Sequence, residues 1–139
     1  MSIPQYKAPE LELALKKILE IPFASAIAAG AHLSLVSGRI EFPFRVTGAK
    51  MVFTDDANNW IQHRWYVSAN RSVSTTGTPS GDNIFSPKSP SAYFSGKGLI
   101  RRVYANREYP AIGLYIKLYT FNNSPYAYNI SASITIQEM

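Results

Sequence analysis

From Tyr128 to Gln137 the chain alternates strictly, with Tyr128, Ile130, Ala132, Ile134 and Ile136 set against Asn129, Ser131, Ser133, Thr135 and Gln137. Period-two patterning of this kind predicts a strand with one buried face. Just upstream, Ile112, Leu114, Ile116 and Leu118 alternate with Gly113, Tyr115, Lys117 and Tyr119, and Asn122-Asn123-Ser124-Pro125 separates the two runs. The pair reads as a hairpin. The second face of its first strand carries Tyr115, Tyr119 and Phe121 in place of charges, which suits a strand covered on both sides or one presenting aromatics to a partner. Ile40, Phe42, Phe44 and Val46 alternate as well, and Pro43 among them, having no N–H, predicts an edge strand. Thr47-Gly48 reads as a turn, with Met51 and Phe53 continuing the pattern, and Asp55 to Asn59 forms the next connection. From Trp60, Ile61, His63, Trp65 and Val67 face one way and Trp60, Gln62, Arg64 and Tyr66 the other. Leu99 to Tyr104 is a further short strand.

At the N-terminus two templates compete. Leu11, Ala14, Leu15, Ile18 and Leu19 share a helical face, and Pro9 suits a first turn, so a short helix over 9–20 is preferred. Leu11, Leu13 and Leu15 also alternate, and Lys17 to Phe23 fits an opening strand. Asn70 to Lys97 is a long loop rich in Ser, Thr, Gly and Pro, yet it holds Val73, Ile84-Phe85 and Tyr93-Phe94. A purely solvated linker has no use for such anchors. Together the elements predict an all-β antiparallel sandwich or jelly roll, with an N-terminal arm at 1–29 and a sandwich domain at 30–139 carrying a loop at 70–97. Phe42, Phe44, Met51, Trp65, Leu114, Ile116, Ile130 and Ile134 are the expected inward side chains.

Composition narrows the chemistry. The 139 residues suit one domain, and 46% hydrophobic against 17% charged residues favours a packed core. Without cysteine there are no disulfides, thiolate metal sites or cysteine nucleophiles. The net charge of +5 is spread thinly, with Lys16-Lys17 and Arg101-Arg102 the adjacent basic pairs, so no nucleic-acid partner is expected. The longest apolar stretch, Ile21 to Leu35, is interrupted by Pro22, Ser25, Gly30 and His32, and neither a membrane span nor a signal peptide is expected. Asp55-Asp56 with Asn58-Asn59 lacks the oxygens of a calcium loop and reads as a turn. His32 and His63 read as structural, no pair of carboxylates stands out for acid–base work, and no metal, cofactor or enzymatic activity is expected. Trp60, Arg64 and Tyr66 would share a strand face and form the best platform for stacking a ligand.

The Ile-Glu-Phe-Pro-Phe strand at Ile40 to Phe44, the Thr-Gly-Ala-Lys turn at Thr47 to Lys50, the long Ser/Gly/Pro loop and the terminal hairpin ending at Met139 resemble the small jelly-roll or β-sandwich structural proteins of tailed phages, such as capsid decoration (cement) proteins. The resemblance implies a non-enzymatic virion component that forms homo-oligomers, often trimers, and attaches to a capsid lattice through its arm and loops. Leu11, Leu15, Ile18 and Phe23 in the arm, and Ile84, Phe85, Tyr93 and Phe94 in the loop, are then the expected partner-binding residues. A carbohydrate-binding module using Trp60 and Tyr66, or an exported filament subunit completed by a neighbour's N-terminal strand, are the alternatives.

Overall fold

The computed structural model describes residues 16–73, 77–85 and 93–139. Within them lie β1 (Ile18–Ile27), β2 (His32–Val36), β3 (Phe44–Phe53), β4 (Ile61–Ser68), β5 (Asp82–Asn83), β6 (Leu99–Tyr109), β7 (Tyr115–Asn122) and β8 (Tyr128–Glu138), with a 3-10 turn at Asp55–Ala57. β1 pairs with β8, β2 with β7, β3 with β6 and β4 with β5, all antiparallel. That is one long antiparallel ribbon doubled back on itself between β4 and β5. Rolling the ribbon adds the β3–β8 and β4–β7 pairings and yields two four-stranded sheets, β1-β8-β3-β6 and β2-β7-β4-β5. The all-β sandwich expected from the sequence is therefore present, in jelly-roll order.

The two sheets bury their inward rows against each other. Phe44, Val46, Met51, Ile134 and Ile136 of the first sheet meet Trp65, Ile116 and Leu118 of the second in one core, and none of these side chains reaches solvent. Each such side chain contributes about 1.5–3 kcal/mol by leaving water. Of the expected inward set, Phe44, Met51, Trp65, Ile116, Ile130 and Ile134 are buried, while Phe42 and Leu114 are half-buried at the rim.

Five local expectations are corrected. The helix over 9–20 gives way, at Ile18 and beyond, to β1, which pairs with β8 over its whole ten-residue length. The extended form places Ile21 opposite Ile134 and Phe23 opposite Ala132, a burial that a helix ending before Pro22 forgoes. The sandwich thus begins at Ile18, and the expected arm at 1–29 is shortened accordingly; residues 1–15, with Leu11 and Leu15, lie outside the described residues. Pro43 marks no edge strand: it precedes β3, its carbonyl accepts from the Met139 N–H, and β3 runs between β8 and β6. Thr47-Gly48 is a register shift within a continuous β3 and not a turn, a bulge that lets the strand follow the sandwich curvature. Finally, β7 and β8 are consecutive but unpaired with each other. They lie in opposite sheets, and the link between them crosses the end of the sandwich, held by Asn122, whose amide donates to the carbonyls of Ala28 (3.1 Å) and Tyr126 (2.6 Å).

Candidate functional site

The described part of the long loop at 77–85 and 93–97 is built into the sandwich. Its Asp82–Asn83 segment pairs with Val67 and Tyr66 as the edge of the second sheet, and Ile84 enters the core at 3% exposure. Phe94 exchanges backbone hydrogen bonds with His63 (both 2.9 Å), and Phe85 meets Phe94 edge to face at 5.4 Å between ring centres. Ile84 therefore spends its apolar surface on the chain's own core, and Phe85 and Phe94 are half-buried against it. The expectation that Ile84 anchors a neighbour is corrected. Phe23 is corrected likewise: it is buried, with its ring edge-on to Trp65 at 5.5 Å. Among the expected contact residues, Tyr93 and Ile18 stay exposed, at 48% and 69%.

A surface that the sequence pattern missed lies along β6. This eleven-residue strand pairs on one side with β3 and forms an edge of the first sheet. Edge strands are usually blunted by charge, proline or brevity. β6 carries Arg101, Arg102, Arg107 and Glu108, yet beside them Leu99, Ile100 and Tyr104 stand exposed, Tyr104 at 85%. Ile100, Arg102 and Tyr104 lie opposite Val52, Lys50 and Gly48, on the outer face. The missing side chain of Gly48 leaves a shallow depression of about 440 Å³ beside Tyr104, floored by Ser133 and Thr135 and edged by Glu20 and Lys50. Beneath the strand, Arg101 lies over the Phe94 ring (5.2 Å), and Asp82 accepts from Arg107 (2.9 Å) and from the Tyr109 hydroxyl (2.7 Å). Burial first, then the Asp82 carboxylate, hold the Tyr109 phenol above its ordinary range. These contacts pin β6 from below, and among the described residues no strand pairs with its other edge.

The outer face of the second sheet is the other candidate. Cross-strand rows there run His32–Phe121–Gln62, Ser34–Tyr119–Arg64 and Val36–Lys117–Tyr66. The Lys117 ammonium is enclosed, donating to the Ser72 carbonyl (2.6 Å) and toward Ser80 Oγ (3.5 Å), and loss of hydration lowers its pKa. Arg64 lies 5.8 Å from the Tyr93 ring centre and 5.7 Å from that of Tyr119. The His32 ring stacks on Phe121 at 4.4 Å, and its Nδ1 contacts the Tyr119 hydroxyl; burial holds that phenol above its usual range. The expected platform is thus redrawn. Arg64 belongs to it, but Tyr66 is buried, and Trp60 sits just before β4 against Tyr126, 6.3 Å between ring centres. Tyr93, exposed, is the aromatic ring that joins Arg64 there, while Tyr119 is buried beneath the guanidinium. The outward parity of Arg64 and Tyr119 was visible in the sequence; their lateral pairing and the return of Tyr93 over them were not.

No family model matches the chain, and a search of curated proteins finds no significant relative.

Proposed function

We propose that the chain is a non-enzymatic assembly subunit, a capsid decoration protein whose copies join through β6 into a homo-oligomer on a virion surface. The observation that carries this reading is the edge of β6, eleven residues long and unpaired among the described residues, with Leu99, Ile100 and Tyr104 exposed along the strand. An unpaired strand edge offers a row of backbone donors and acceptors, and apolar side chains beside it gain by leaving water when a second edge docks. The protruding Tyr104 ring next to the depression over Gly48 supplies a knob and a hollow on one face, as a self-complementary contact requires. Jelly rolls occur in capsid, lectin and cupin domains alike, so the edge and not the fold distinguishes the reading. Ile18, exposed at the start of β1, with Leu11 and Leu15 ahead of it in sequence, supplies the attachment to the capsid.

Sedimentation velocity at micromolar concentration tests the homo-oligomer. Wild type is expected at a multiple of 15.5 kDa and the Ile100→Asp/Tyr104→Asp double variant at 15.5 kDa, since both side chains are exposed and their replacement leaves the core intact. A wild-type monomer, or a variant of unchanged size, would overturn the proposal.

A further inference from the structure

Neither Lys117 nor Arg64 of the second sheet meets an acid among the described residues, but Lys117 has hydrogen-bond partners and Arg64 has none. Among the described residues it makes no ion pair or hydrogen bond; two tyrosine rings hold it, and its Nε is enclosed without a partner. Ser34 Oγ, two strands away in the same row, is enclosed and unpartnered as well. The outward residues of β2, β4 and β7 include Arg64, Lys117 and His32 but no carboxylate. A guanidinium fixed by ring contacts, with no acid among the described residues of its face, is able to take an anion from outside.

From this geometry we infer that the outer face of the second sheet binds a carboxylated sugar of the uronic or sialic acid type, with the sugar carboxylate on Arg64 and the ring against Tyr93. The planar fork of Arg64 matches a carboxylate in two-point contact. Tyr93 is half exposed beside Arg64, and the Gln62 amide and His32 imidazole in the neighbouring row offer polar groups for sugar hydroxyls. A nucleic-acid strand fits less well, because it needs several accessible cations along a groove, and Lys117 is enclosed and already hydrogen-bonded. The site lies on the sheet opposite β6, so it stands or falls independently of assembly through that edge.

NMR titration of the intact chain with glucuronic acid, N-acetylneuraminic acid, glucose and inorganic phosphate tests the inference. At least one acidic sugar is expected to bind saturably in the millimolar range or tighter, shifting the Arg64 and Tyr93 resonances, with glucose and phosphate at least tenfold weaker. Arg64→Gln is expected to weaken that binding at least tenfold, and Tyr93→Ala, a change at an exposed position that leaves the fold intact, several-fold. No saturation by either acidic sugar up to about 10 mM, equal binding of phosphate or glucose, or unchanged affinity in Tyr93→Ala would each overturn it.

Discussion

His63 sits in the core at 0% exposure, beside the Phe53 ring, with Nδ1 2.8 Å from Thr120 Oγ1 and Nε2 without a partner. Burial depresses its pKa from 6.5 to about 4. The unfolded chain therefore takes up a proton that the folded one refuses between those values, and stability falls as pH drops from 6.5 toward 4, by up to about 3 kcal/mol. Below about pH 4 both states are protonated and this contribution is flat. Urea unfolding at pH 4.5 and pH 7 is expected to show a smaller pH difference in His63→Leu than in wild type; equal differences would count against a buried neutral imidazole. Lys117 is enclosed too, but it can bend its ammonium to Ser72 and Ser80, and its desolvation opposes folding while it stays charged. Lys117→Met keeps the stem and removes the charge, so its urea midpoint is expected to equal or exceed that of wild type. A clearly lower midpoint would mean that the ammonium–carbonyl bond holds the loop down.

At the scale of the element, the segment between β4 and β6 contributes Ile84 to the core. Ile84→Ala is expected to cost about 2–4 kcal/mol in chemical unfolding, as for a buried aliphatic side chain, whereas a loss below about 0.5 kcal/mol would return the loop to the surface. Gly48 constrains β6 in another way, since a Cβ there would stand 2.8 Å from the Val103 carbonyl oxygen across the ladder. Gly48→Ala should push β6 away, lowering the melting temperature and weakening association together; a variant with both unchanged would show slack in that contact. A period-two strand such as β8 was legible because its apolar face is buried while Asn129 and Ser131 on the other face are exposed. What a single strand cannot carry is the identity of its neighbours: β7 and β8 look like a hairpin locally, and only rolling of the doubled ribbon sends them to different sheets. Near Ile18 the leucine spacing serves helix and strand equally, and the ladder offered by β8 decides between them. Ile84 and Phe94 announced that the loop is anchored without revealing that the anchor is their own core.

For the whole molecule, the roll closes the core and leaves β6 at an edge of the first sheet that no described strand pairs with, and that edge is the proposed contact between copies. The sequence showed β6 as a short charged strand because Arg101 and Arg102 lie at its centre; that Arg101 turns beneath Phe94 while Ile100 and Tyr104 turn outward follows from register against β3. The candidate ligand face was legible only as far as Arg64, because Tyr119 and Tyr93 reach it from β7 and from the loop. Amide hydrogen exchange along Leu99–Tyr109, followed from submicromolar to high micromolar protein, tests the central claim most directly. If β6 joins copies, its amides gain protection as concentration rises and lose it in Ile100→Asp/Tyr104→Asp, while β8 in the interior of the same sheet exchanges alike throughout. Exchange of β6 that is independent of concentration and of those substitutions would contradict the account.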